Sequence, residues 1–387
     1  MSLYFDHNAT TPLDERVLET MLPWLREGYA NAASLHRGGR EARAAIDHAR
    51  EQVAALAGAH PGQVVFTAGG TEADNLAVKG LAARLPRGRV LVGSMEHPAV
   101  LEAAQALAPH GWQVDEIPAG ADGRYDLTGL REQLAAGDVR LVAAMAANNE
   151  TGALQDTAAI AEAAREAGAL FHCDAVQLAG KGMLRYPETG AHTLALSAHK
   201  IYGPKGVGAL ILDKGVDIEP QLHGGGHEGG LRAGTENTAG IVGFGAAAEL
   251  AAAELEERYA GLLTLRDRLE GGLSGMPGVT VFAEHVARLP NTVQFAVPGY
   301  EGEGLLMSLD RHGIAVSSGS ACASGRGEPS HVLLAMGIDP TVAYGAVRVS
   351  LGRDNSAEDV DSFLATLREL TSAGAAMPSL NPAVLAG

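Results

Sequence analysis

From Val64 onward the chain repeats one pattern: a short apolar run, a polar or glycine-rich loop, then an alanine-rich stretch with helical spacing. The runs Val64–Thr67, Arg89–Gly93, Gln113–Ile117, Arg140–Ala146, Ala169–Asp174, Leu194–Ala198 and Gly208–Leu212 have strand length and are bounded by turn residues. Strands alternating with helices predict an α/β fold, a mostly parallel sheet with helices on both faces. Composition agrees, since 46% of the residues are hydrophobic but only 4% aromatic, which suits close-packed α/β layers better than an aromatic-rich sandwich.

Sheets of this kind bind ligands beyond the carboxyl ends of their strands. Five predicted strand ends carry polar or glycine-rich clusters: AGGTEADN after Thr67, SMEHPAV after Gly93, ANNETG after Ala146, AVQ after Asp174, and SAHK at 197–200. The amino ends are mostly ordinary helix-to-strand turns, so the five loops are read as one pocket.

Lys200 is its focal residue. A lysine at the mouth of a buried strand loses hydration, so its amine is more easily deprotonated and can form an imine with an aldehyde. Taken alone, it also fits a surface lysine that closes a strand. Gly69-Gly70-Thr71 precedes a helix and offers either a phosphate site at the helix N-terminus or a plain glycine turn with a threonine cap. His97, just before Pro98, is placed either to stack on a planar ligand and move protons or merely to cap a helix. Asn149 lies in a tight polar turn. Asp174 ends a buried strand and needs a partner, for which a cationic ring nitrogen would serve. A lysine for an imine, a helix N-terminus for phosphate, a carboxylate for a ring nitrogen and a stacking histidine together match the demands of pyridoxal 5′-phosphate.

Length and charge set the outer limits. The 387 residues allow two domains. A large α/β domain is expected over 15–255, with a smaller α+β domain from 1–14 and 256–387. A long helical segment from Asn237 to about Leu273 would lead from one to the other. Against 29 lysines and arginines stand 46 acidic residues, a net charge of −17 that opposes direct binding to nucleic acid or an anionic membrane. No apolar run has membrane-spanning length and the N-terminus lacks a secretory pattern, so a cytoplasmic location is expected. His223, His227 and Glu228 faintly suggest a metal-binding helix, but the glycines among them oppose a helix, and no metal is expected. Two cysteines are too few for a disulfide framework. Cys173 alternates with Asp174 along a strand and faces the other side as a small apolar residue, whereas Cys322, in a loop of glycines and serines, is the candidate nucleophile.

With these residues in view, the chain resembles the class I, NifS/IscS-like cysteine desulfurases, which belong to the fold type I pyridoxal-phosphate enzymes. The likeness runs from YFDHNATTP through GGTEADNLA, EHPAV, NNETG, DAVQ, SAHKIYGPKG and HGGGHEGGLRAGTEN to SSGSAC and VRVSLGR. The resemblance implies an aspartate-aminotransferase-like fold and a homodimer. It makes Lys200 the imine-forming lysine, Asp174 the partner of the pyridine nitrogen, Gln177 and Asn149 contacts near the ring oxygen, and His97 the stacking acid/base. Gly70, Thr71, Ser197 and His199 would hold the phosphate with Thr235 from the other subunit, and Asn31 and Arg348 would bind the substrate carboxylate. The implied reaction takes sulfur from L-cysteine, giving alanine and a persulfide on Cys322 for an acceptor or iron-sulfur scaffold protein, in cluster assembly, tRNA thiolation or another sulfur pathway. Selenocysteine lyase on the same fold and a catalytically silent sulfur-transfer scaffold are the alternatives. Where the family usually has Gly-Ala-Thr and Asn-Pro-Ala-Ser, this chain has Gly69-Gly70-Thr71 and Asn31-Ala32-Ala33-Ser34, and its C-terminus looks shorter than in members that dock a scaffold there.

Overall fold

The computed structural model describes residues 3–318 and 328–373. The strands in chain order are β1 (Leu3–Tyr4), β2 (Val64–Thr67), β3 (Arg89–Gly93), β4 (Gln113–Ile117), β5 (Val139–Met145), β6 (Leu170–Asp174), β7 (Thr193–Ser197), β8 (Gly208–Leu212), β9 (Thr280–Val281), β10 (Thr292–Ala296), β11 (Ile314–Ala315) and β12 (Ala346–Ser350). Seven form one sheet in the order β2-β8-β7-β6-β5-β3-β4. All its neighbours pair in parallel except those of β8, which runs against both β2 and β7. The expected α/β architecture is therefore the observed one.

Alternation along each strand builds the two layers around this sheet. Leu141 and Ala143 of β5 face one apolar cluster with Val90, Val92, Ala195 and Leu210. Val142 and Ala144 face the other, with Leu91, Phe171, Cys173, Leu194 and Ile211. The first layer is closed by α3 (Gly70–Arg84) and α4 (Pro98–Gln105); the second by α1 (Glu15–Arg26), α2 (Arg37–Ala57) and the helix Thr238–Ala253. Local chemistry sets the helix starts: Asp14 caps α1 by accepting from the Arg16 amide, and His36 and His97 cap α2 and α4 through ring nitrogens.

Two expected elements change at single residues. The long helix foreseen from Asn237 breaks at Glu254, where Thr238–Ala253 and Leu255–Ser274 meet at 71°. At the corner, Glu254 binds Arg16 at 2.6 Å and Arg258 at 2.5 Å. The apolar run Val279–Ala283 reads as a strand in the sequence, but it shrinks to β9, and Ala283 adopts φ 55°. A third apolar cluster gathers Phe5 with Leu269, Val293, Phe295, Val347 and Phe363 around the antiparallel sheet β12-β10-β9. Residues 3–10 join the halves: β1 pairs with β11, and the His7 amide donates to the Ser350 carbonyl. Among the described residues no single helix is long and apolar enough to cross a membrane.

Candidate active site

Strand β7 ends at Ser197 and the chain turns at once through a single 3₁₀ turn, Ala198–Lys200, which brings Lys200 back across the sheet edge. Its Nζ donates to the carbonyls of Asn8 at 2.5 Å and Ala9 at 2.8 Å. The N-terminal segment is laced onto this turn. Thr11 donates from its amide and hydroxyl to the His199 carbonyl, and its Oγ1 accepts from the Tyr202 amide.

The ends of β2, β3, β5, β6 and β7 converge on one cavity of about 280 Å³, lined by Gly70, Thr71, His97, Asn149, Asp174, Gln177, Ser197, His199 and Lys200. The five loops thus form one pocket. A larger cavity of about 640 Å³, walled by Leu154, Leu178, Leu184 and Leu255, contains none of these residues. Size does not mark the chemistry here.

Electrostatics differ sharply across the pocket. Burial pushes the Asp174 carboxyl up to about 7, with the nearby Asp74 adding to the effect; the Val176 amide, His172 and Lys200 oppose it. Asp74, itself raised to about 8 by burial, lies 3.2 Å from His172 Nε2. Burial, aided by the charges of Lys200 and His331, lowers His97 to about 4, so its ring is neutral at neutral pH. Because His97 Nδ1 accepts from the Ala99 amide at 3.1 Å, the neutral ring carries its proton on Nε2. Gly69, φ 154°, precedes helix α3 and gives it no side-chain cap, and the buried Ser197 Oγ has no hydrogen-bond partner among the described residues. Free first-turn amides beside an orphaned hydroxyl suit an anion.

Four expected site residues are not part of this lining. Arg348 is buried one step away, its guanidinium bound to Asp6 Oδ1 at 2.7 Å and to the Asn149 carbonyl at 3.0 Å. Asn31 and Thr235 are exposed, and Asn31 Oδ1 accepts from the Ala33 amide. Cys322 lies outside the described residues. The described residues on either side of it bond to groups just behind the lining: Ser317 pairs with Arg348, Ser330 Oγ donates to Glu150 at 2.5 Å, and His331 Nε2 donates to the Glu96 carbonyl at 2.9 Å. Cys173 is fully buried, with its thiol pushed well up by burial. Glu228 is held by Arg50 through two 2.7 Å bonds, and the described residues contain no group of three metal-type side chains.

The sequence reading passed over Asn8 and Lys181. Asn8 accepts from Gln177, Lys181, Lys200 and Asn291 and donates to the Asn149 carbonyl and Thr292, which makes it the junction between the large sheet and the C-terminal strands. Its partners lie up to 342 positions away, at Ser350, beyond any local pattern. Lys181 did leave a trace, since it stands four residues after Gln177, the spacing of neighbours on a helical turn.

A family model for "Aminotransferase class-V" matches residues 3–363, and the chain belongs to that family, whose cofactor is pyridoxal 5′-phosphate. Within it the chain stands among the cysteine desulfurases. It is 46% identical over 373 residues to a cysteine desulfurase of Frankia sp. (strain EuIK1), covering 92% of this chain and 88% of the relative. A solved NifS-like protein superposes with a TM-score of 0.90 at 38% identity, over 96% of this chain and all of that one. The structure of SspA in complex with cysteine gives 0.79 at 32% identity, covering 90% and 99% respectively.

The pocket fits this cofactor. The orphaned Ser197 hydroxyl and uncapped amides of α3 suit its phosphate, Asp174 its ring nitrogen, and the Lys200 amine its aldehyde.

Proposed function

We propose that the protein is a pyridoxal-phosphate-dependent cysteine desulfurase that converts L-cysteine to L-alanine and leaves the sulfur as a persulfide on Cys322. The observation that carries this reading is the convergence of five strand ends on one cavity holding Lys200, Asp174, His97 and an orphaned Ser197 hydroxyl. When bound, the cofactor serves as the electron sink for bond changes at the substrate Cα.

Each residue then has a bounded task. Lys200 Nζ, set by the carbonyls of Asn8 and Ala9, gives and takes the Cα proton. Asp174 stabilises a protonated ring nitrogen as a carboxylate, since a cation beside it reverses the effect of burial. His97 stacks on the ring and exchanges protons with the substrate thiol at Nε2. Gly70, Thr71, Ser197 and His199 hold the phosphate, and Asn149 and Gln177 face the ring oxygen side. Arg348, with Asn31, takes the substrate carboxylate. The Cys322 thiolate attacks the substrate sulfur: the S–S bond forms, the Cβ–S bond breaks, and Cβ is protonated as alanine leaves. The persulfide then passes its outer sulfur to an acceptor thiol or an iron-sulfur scaffold protein.

The same reading includes a homodimer in which Thr235 completes the phosphate site of the other subunit, and a cytoplasmic setting. Thr235 and Asn31 are both exposed, and Tyr29 and Leu35, flanking Asn31, are 95% and 89% exposed, which supports a partner surface there. It also includes a division into a cofactor domain, 15–255, and a smaller domain from 1–14 and 256–387, supported by the separate apolar cluster around Phe295 and Phe363. Two variants test the chemistry. Lys200→Ala should lose the borohydride-reducible cofactor link and all turnover. Cys322→Ser should keep the link and substrate Cα-hydrogen exchange but release no sulfur; full desulfuration by Cys322→Ser without added thiol would refute the persulfide route.

A further inference from the structure

Lys181 is nearly buried, lies on the wall of the larger cavity rather than of the cofactor pocket, and among the described residues forms no ion pair with a carboxylate. Such an ammonium is costly where methionine or leucine would fill the same space. Its two hydrogen bonds indicate what it secures: Nζ donates to Gln177 Oε1 at 2.6 Å and to Asn8 Oδ1 at 2.9 Å.

An amide has two ends of nearly equal size, one donating and one accepting. What decides which end faces a cavity is a neighbour that can only do one of these, and lysine can only donate. With Oε1 held by Lys181, the Gln177 Nε2 donates one hydrogen to the Asn8 carbonyl at 2.9 Å, which leaves a second hydrogen on a side chain that lines the pocket. That same carbonyl accepts from Lys200 Nζ. The neighbours of Lys181 are thus a pocket wall and the segment that holds the imine-forming lysine.

We infer that Lys181 is a positioning residue for the cofactor site: it fixes the Gln177 amide with its donor end toward the pocket, so that the site presents a hydrogen-bond donor to an anionic oxygen on the ring, and braces the Asn8 segment on which Lys200 rests. This rests on the cofactor assignment above. Its chemistry is specific, since an acceptor at the same point would repel a phenolate oxygen. Burial and the charges of Lys200 and Arg348 lower the proton affinity of Lys181. The ammonium, which has no lone pair to accept with, is the form that both contacts to carbonyl-type oxygens favour.

The test reads cofactor binding rather than turnover. Apoprotein made by stripping the purified enzyme is titrated with pyridoxal phosphate, followed by visible absorbance, for the parent, Lys181→Met, Gln177→Leu and the double variant. Each single change should weaken binding about 10-fold and shift the pH midpoint of the visible band, while the double variant should be no weaker than Gln177→Leu. The apoprotein melting temperature of Lys181→Met should not fall, because a buried cation has been removed. Gln177→Glu supplies a second route: it can pair with Lys181 and stay folded, yet it offers only acceptors, and it should weaken binding at least as much. Parent-like affinity and spectrum in Lys181→Met, or full additivity with Gln177→Leu, would overturn the inference while leaving the cofactor site standing. Should Lys181→Met not fold, parent-like binding by Gln177→Glu would overturn it. A parent with no borohydride-reducible link to Lys200 would overturn the cofactor assignment as well.

Discussion

Asp74 shows how one buried side chain turns pH into stability. It sits 1% exposed beside His172, and burial raises its carboxyl from an ordinary value near 3.8 to about 8. Between those values the folded chain holds a proton that the unfolded chain has released, so rising pH favours unfolding across that window and the loss is complete above it. Asp74→Asn has no such proton to lose. In denaturant titrations of the apoprotein, the variant should gain on the parent from pH 5 to pH 8, at roughly 1.4 kcal/mol per pH unit at most. A constant difference between the two proteins over that range would mean that Asp74 is ionised in the fold. Sequence alone placed Asp174, His97 and Lys200 because each ends a strand or caps a helix, where position implies orientation. Asp74 lies inside α3, and its facing the pocket depends on how that helix packs, which no neighbouring residue reveals.

At the scale of elements, the strands were legible almost to the residue. Buried sheet strands are short apolar runs with sharp turn boundaries, and β2, β3, β4 and β8 fall where that pattern puts them. The bend at Glu254 was not legible, because an alanine- and glutamate-rich stretch favours helix on either side and the corner is set by Arg16, 238 positions away. Direction was hidden too: β8 looks like its neighbours in composition but runs against them. Its reversed course places Gly208, its first residue, opposite Thr67 and Ser197 at the ends of β2 and β7. A Cβ on Gly208 would lie 2.6 Å from both the Gly69 carbonyl carbon and the Leu196 carbonyl oxygen, backbone atoms that cannot rotate aside. Gly208→Ala should therefore cost about 1–3 kcal/mol as overpacking. By displacing the start of α3 it should also weaken pyridoxal-phosphate binding at least 10-fold. Unchanged affinity with lowered stability would separate that glycine from the phosphate loop.

For the whole molecule, the exposure of Thr235 and Asn31 leads to a prediction about assembly. Mixed dimers of Lys200→Ala and Thr235→Ala chains should contain one site with neither lesion, if Thr235 serves the site opposite its own lysine. Cofactor bound to such mixtures should exceed the sum from the two parent variants, and strict proportionality would count against sharing. If both belong to a shared site, no single-chain property could locate them there, since in one chain they are simply exposed. The segment 3–10 has a different kind of consequence. It meets β11 and Ser350, some 300 positions later, and only there does it come to rest beneath Lys200 through the carbonyls of Asn8 and Ala9. During synthesis residues 3–10 must wait for β11 and Ser350 to emerge, so the seven-stranded sheet can form well before the lysine cradle does. A nascent chain halted before residue 350 would be substantially folded and still unable to hold Lys200 in place. Competence for cofactor thus arrives as a late event in the life of the chain.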